Sequence, residues 1–165
     1  MTYDMRSETT PVPPQGMSSP EQIAWLLNQF VADEPDVMHA LLGSRDGLKL
    51  AFSDAMTRDA TDSLAAAISA LSSLATNLPG LSGSGVPVRQ MLVERDDCLF
   101  FIVGAGATSA FRSHPGNTQG SVDTVLGVIS RPDADVGKVG FEMQRLVQRF
   151  APYMVTAVRD GGGER

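Results

Sequence analysis

One cysteine, two histidines and two lysines among 165 residues leave little from which to build a cross-linked or metal-centred scaffold. Cys98 has no partner for an internal disulfide, and a structural zinc site would have to draw on carboxylates. Positive charge is scarce as well. Thirteen basic residues face 19 acidic ones, a net charge of −6, so no long-range field draws a phosphate backbone or an anionic lipid surface. Nucleic acid is not an expected partner. Long apolar runs are also missing: the longest, Cys98 to Ala110, is interrupted by Gly104 and Gly106 and falls short of the ~20 residues of a membrane span. The polar stretch Met1 to Thr10 lacks the basic-then-apolar order of an export signal, so a cytoplasmic protein is expected. The preference for arginine over lysine reads as codon bias.

What is present is an apolar share of 42% against 19% charged, the balance of one folded domain. Residues 1–18, with Pro11, Pro13, Pro14 and Gly16, offer few apolar side chains and are expected to be a disordered leader. Ser19, Pro20 and Gln22 read as N-cap, first helical residue and closing residue of a capping box. Ile23, Leu26, Leu27 and Phe30 then mark one helical face, which Pro35 ends. Asp46-Gly47, between Val37–Ser44 and Leu48–Ser53, predicts an antiparallel hairpin whose second strand buries Leu48, Leu50 and Phe52.

From Arg58 to Leu78 the period is helical, with Leu64, Ala67, Ile68, Leu71, Leu74, Ala75 and Leu78 as one apolar stripe. The remaining face carries Ala65, Ala66, Ser69, Ala70, Ser72 and Ser73, small residues against which something can pack. A glycine-serine connector, Gly80 to Gly85, leads to a second hairpin, Val86–Glu94 and Cys98–Val103. A long loop, 104–120, precedes a fifth strand, Thr124–Ile129. Val136, Val139, Met143, Leu146, Val147 and Phe150 give a third helix that closes near Pro152, followed by a flexible tail at 158–165. The order is α-β-β-α-β-β-β-α, with a folded domain over 19–157.

The residues that carry chemistry do not converge. Gly104 and Gly106 follow a strand, but Ser109 stands where a dinucleotide fingerprint needs its third glycine, and no helix or early βαβ unit follows. Gly137-Lys138 is succeeded by Val139, so there is no phosphate-binding loop of the Walker type. His39 is expected as a hydrogen-bonded core or edge histidine. His114, with Ser113, Asn117 and Asp123 nearby in sequence, is too local a grouping for a catalytic triad. Cys98 reads as a small buried hydrophobe, and Asp33-Glu34-Asp36, Asp96-Asp97 and Asp133-Asp135 as turn or cap residues without calcium-loop spacing. Arg145 and Arg149, one helical turn apart, with Glu142 preceding Arg145, are a solvated face or a contact surface for a protein. No catalytic, metal or cofactor residue is assigned.

Taken together, the element order, the hairpin Leu41-Leu42-Gly43-Ser44-Arg45-Asp46-Gly47-Leu48-Lys49-Leu50-Ala51 and the small-residue helix from Asp62 to Ala75 resemble the roadblock (dynein light chain) family. The actinobacterial members that accompany Ras-like GTPases are the nearest in pattern. The resemblance implies an α/β (α+β) fold with profilin-like layering: a five-stranded antiparallel sheet with one helix on one face and two on the other. It also implies a homodimer joined through antiparallel second helices and edge-to-edge third strands. Ala66, Ser69, Ala70 and Ser73 would allow the helix contact, and Val88, Gln90 and Leu92 would lie on the strand edge, while Asp46 and Gly47 form the most specific turn. The implied activity is non-catalytic regulation of a Ras-like small GTPase. A membrane-bound sensor-kinase-like protein is a further implied partner, with membrane association only through such partners and no cofactor. The alternative is a small-ligand sensor in which the loop 104–120 closes over a pocket.

Overall fold

The chain runs α1 (Ser19–Asp33), β1 (Val37–Ser44), β2 (Lys49–Phe52), α2 (Arg58–Asn77), β3 (Gln90–Glu94), β4 (Leu99–Thr108), β5 (Val122–Ser130) and α3 (Val136–Met154). These elements belong to a computed structural model that describes residues 10–117 and 120–155. The first nine residues of the expected leader and the tail at 158–165 lie outside the described residues.

The five strands form one antiparallel sheet in the order β2-β1-β5-β4-β3, so β3 is an edge strand. Alternation divides each central strand between two apolar clusters. Ala40, Leu42, Phe101, Val103, Leu126 and Val128 pack with Leu26, Leu27, Met143 and Phe150 of α1 and α3. Leu41, Phe100, Ile102 and Val125 pack with Leu64, Ala65 and Ile68 of α2. One helix therefore covers one face and two cover the other, as the resemblance implied.

Ile68 of α2 reaches down to the strands where two positions opposite it lack side chains. A Cβ at Gly127 would lie 2.9 Å from Ile68 Cγ2, and one at Gly43 3.0 Å from Ile68 Cδ1. Gly47, at φ 92, supplies the left-handed backbone of the β1–β2 turn.

Several expectations are corrected in detail. The first helix is capped one residue earlier than expected: Ser18 is the N-cap, and its N–H and hydroxyl each donate to the Glu21 carboxylate at 2.7 Å. A carboxylate at the third helical position outcompetes the neutral Gln22, because it accepts these bonds and also meets the positive end of the helix dipole. The Ser18 bonds hold the Glu21 carboxyl below the usual carboxylate range. In β2 the buried residue is Ala51, followed by buried Ser53 just beyond the strand, whereas Leu48 is 43% exposed. A register shift between Leu42 and Gly43 moves the alternation of this edge strand.

The expected loop at 104–120 starts late, since β4 continues to Thr108 through a bulge between Gly104 and Gly106. Likewise α3 continues through Pro152 to Met154. Its last carbonyl, that of Met154, accepts from the Thr108 hydroxyl at 2.8 Å and from the Ser109 N–H at 2.9 Å, which fastens the helix end to β4.

Candidate functional site

The two flanks of α2 have different neighbours, and the distinction decides which residues are available to a partner. Asp62, Ala66, Ser69 and Ser73 recur at i, i+4, i+7 and i+11 along one flank. That flank faces the first hairpin. Asp62 Oδ1 pairs with Lys49 Nζ at 2.7 Å, and the Ser69 hydroxyl donates to the Arg45 carbonyl. A Cβ on Gly47 would stand 3.7 Å from Ala66 and from Ser69. Small residues are used here to seat the β1–β2 turn.

The other flank carries Ala60, Ala67, Leu71, Leu74 and Leu78. With Val93, Phe100 and Ile129 beneath, Ala60, Ala67 and Leu71 line a cleft of about 500 Å³ between α2 and the β3 side of the sheet. Leu74 and Leu78 are 67% and 66% exposed, so the stripe read from the sequence covers the sheet only as far as Ile68 and Ser72 and then turns outward. Ala70 is exposed between the two flanks. Of the two flanks, it is the one with Ala67 and Leu71 that shares a cleft with Val93 of β3.

β3 itself is short, and Val88 precedes it rather than belonging to it. Met91 and Val93 face the α2 cluster. Gln90 and Leu92 are exposed, and the Gln90 side chain lies over Gly140 of α3. One border of β3 pairs with β4, from Gln90↔Val103 to Glu94↔Leu99, and the other has no strand beside it among the described residues.

His39 lines the α2 cleft, and its Nδ1 is buried without a hydrogen-bond partner, contrary to the expectation of a satisfied histidine. Cys98 lines the same cleft. Burial first, and the adjacent Asp97 carboxylate second, push its thiol above the ordinary range, which suits a packing residue and not a nucleophile.

His114 is brought not to Asp123 but to Asp46 in the specific turn. Its Nδ1 accepts the Gly116 N–H at 2.9 Å, and its Nε2 stands 3.7 Å from Asp46 Oδ1, with the side chain only 5% exposed. Asp46 Oδ1 also accepts from the Ser44 hydroxyl. The loop after β4 thus lies against the β1–β2 turn, although His114 Nε2 itself has no hydrogen-bond partner. Replacing His114 with alanine removes the Gly116 bond, worth ~1 kcal/mol, and hydrogen exchange at Gly116 and Asn117 should quicken about fivefold while the sheet amides keep their rates. Unchanged exchange would mean that His114 does not order this loop.

Among the described residues no group of three or more histidine, cysteine or acidic side chains is arranged to hold a metal ion, and no helix is long and apolar enough to cross a membrane. Neither the cleft under α2 nor a second one between α1 and α3 is lined by the loop after β4.

Comparison with known proteins follows the same lines as the geometry. A family profile, Roadblock/LC7 domain, matches residues 23–111. A Roadblock/LC7 domain from Streptomyces avermitilis is 33% identical, with a TM-score of 0.63, covering 79% of this chain and 95% of that one. The gliding protein MglB of Thermus thermophilus is 18% identical with a TM-score of 0.64, covering 87% and 98%. Myxococcus xanthus MglB is 15% identical with a TM-score of 0.59, covering 79% and 92%. No curated protein matches the chain.

Proposed function

Given that the chain belongs to the Roadblock/LC7 family, we propose that it is a non-catalytic homodimeric platform that binds a Ras-like small GTPase and biases its nucleotide cycle. The observation that carries this reading is the coincidence, on one side of the molecule, of an unpaired strand border and an uncovered leucine flank. Exposed leucines beside an apolar cleft, and backbone groups without a ladder partner, are both satisfied when a second copy arrives about a two-fold axis. The edge of β3 pairs with its twin, and the two α2 helices run antiparallel over the joined sheets.

The contact then uses Ala67, Leu71 and Leu74, together with Ala70 and the Val88, Gln90 and Leu92 border. Ala66, Ser69 and Ser73 stay with the β1–β2 turn. No arginine finger is assigned, because an adaptor acts by holding the GTPase's own machinery in place. A membrane-bound sensor-kinase-like protein is the further partner that the family resemblance suggests.

The reading is tested by mixing the purified chain with Ras-like GTPases loaded with GDP or a GTP analogue, then measuring binding and hydrolysis. Binding that prefers one nucleotide state is expected. Failure to bind either state in any of them overturns the GTPase assignment, whatever the oligomeric state. The alternative, a small-ligand sensor, is separated from this reading by a thermal-shift screen, in which a sensor is stabilised by its metabolite through mass action.

A further inference from the structure

The glycine-serine connector after α2 is not a slack linker. The Gly80 N–H donates to the Gly83 carbonyl at 2.8 Å and the Gly83 N–H to the Gly80 carbonyl at 3.2 Å, closing a tight turn with Leu81 and Ser82 at its tip. Gly83 and Gly85 supply left-handed backbone at φ 100 and 81. The Gly85 N–H donates to the Thr76 carbonyl at 2.8 Å, which ties the turn to the end of α2. A turn tip is ordinarily polar, yet here it holds Leu81 fully exposed. Leu74 and Leu78 precede it, also exposed, and three uncovered leucines in succession are more than scattered surface apolar residues.

Side-chain size changes from one end of this stripe to the other. Ala60, Ser63, Ala67 and Ala70 are small and exposed, and Leu71, Leu74, Leu78 and Leu81 follow them. Ala60, Ser63 and Ala67 border the cleft of about 500 Å³, so the holes lie at one end and the knobs at the other. A two-fold axis crossing α2 between Ala70 and Leu71 lays one copy reversed over the other. Leu71 then meets Ala70, Leu74 meets Ala67, Leu78 meets Ser63 and Leu81 meets Ala60, large against small at every step. An axis at Ala67 instead sets Ala67 against itself, brings Leu78 onto Met56 and leaves Leu81 without a seat. In the same cleft His39 Nδ1 is buried and has no hydrogen-bond partner within its own chain, so the cleft lacks a polar contact as well as an apolar filling.

We infer that the Gly80–Gly83 turn is a hook that seats Leu81 in the α2 cleft of a second copy, and that it fixes the register of the two helices about an axis between Ala70 and Leu71. The inference rests on the homodimer reading above and adds to it an element outside the helix and the strand border.

Cysteine pairs placed in the full-length Cys98→Ser chain read the register. Ser63→Cys with Leu78→Cys should form a covalent dimer on mild oxidation at least about tenfold faster than Ser63→Cys with Leu71→Cys, because a disulfide needs Cα atoms within ~7 Å. Neither pair can close inside one helix, where a rise of ~1.5 Å per residue holds the two positions ~22 Å and ~12 Å apart. Faster bridging of the Ser63 and Leu71 pair overturns the inference in favour of the axis at Ala67. Leu81→Ser should leave the fold unchanged and weaken association about tenfold, the scale of one apolar side chain losing its seat. An unchanged Kd, read by light scattering on dilution, overturns the hook, and this arm decides where a cysteine pair itself dissociates the chain. A Cys98→Ser chain that is dimeric yet bridges neither pair overturns the register alone. A monomeric parent chain overturns the homodimer reading and this inference with it.

Discussion

Leu74→Asp should turn the proposed homodimer into a monomer with its own fold undisturbed. Leu74 is 67% exposed in the single chain, so within one copy the substitution costs no more than about 0.5 kcal/mol. In the proposed dimer the same residue meets the apolar groove of the other copy, and the two-fold axis repeats the change. A centrally placed apolar side chain contributes ~2 kcal/mol, so the two sites together weaken association by ~4 kcal/mol, roughly a thousandfold in Kd. Solution mass by light scattering at low micromolar concentration reads the result. Ser73→Asp, one residue away but on the flank that faces the first hairpin, should leave the dimer intact. If both variants remain dimeric, the α2 contact is misplaced. If Ser73→Asp alone dissociates, the small-residue face is the interface after all.

Gly127→Val should unfold the domain roughly 10 °C earlier, a loss of ~3 kcal/mol. The first carbon added at 127 would stand 2.9 Å from Ile68 Cγ2, a methyl on the branched Cβ that moves only if the stiff χ1 of isoleucine turns. Gly43→Ala is the milder comparison, because its new methyl meets the outer end of the same side chain, Cδ1, at 3.0 Å. Valine favours a strand more than glycine does, so a loss must come from overcrowding, and calorimetry on both variants and on Gly127→Val with Ile68→Ala tests this. Partial recovery in the double variant is the expected sign of overcrowding. A Gly127→Val chain as stable as the parent would show that α2 can rise from the sheet at little cost.

The layout was legible where local chemistry decides it. Asp46-Gly47 forces a turn by backbone geometry, and the period of Ile23, Leu26, Leu27 and Phe30 is that of a buried helix face. What escaped the sequence is what depends on neighbours distant in the chain. A run of alanine, serine and leucine in α2 admits several rotations about the helix axis. The orientation was settled by Gly43 and Gly127, which let Ile68 sink, and by the Arg45 carbonyl, which claims Ser69. β3 is an edge strand, and the flank of α2 that shares a cleft with its Val93 carries Ala67 and Leu71. Similarly, β4 outran its apolar run because Thr108 and Ser109 are recruited by the end of α3, a contact that no local pattern announces.

The two clefts open on opposite faces of the sheet, one under α2 and the other between α1 and α3. The sheet separates them, so the proposed pairing through the α2 side would leave the second unobstructed. A paired molecule would then present two identical clefts at a fixed spacing, and any ligand with two groups that fit them would gain avidity from geometry alone, with no new contact required.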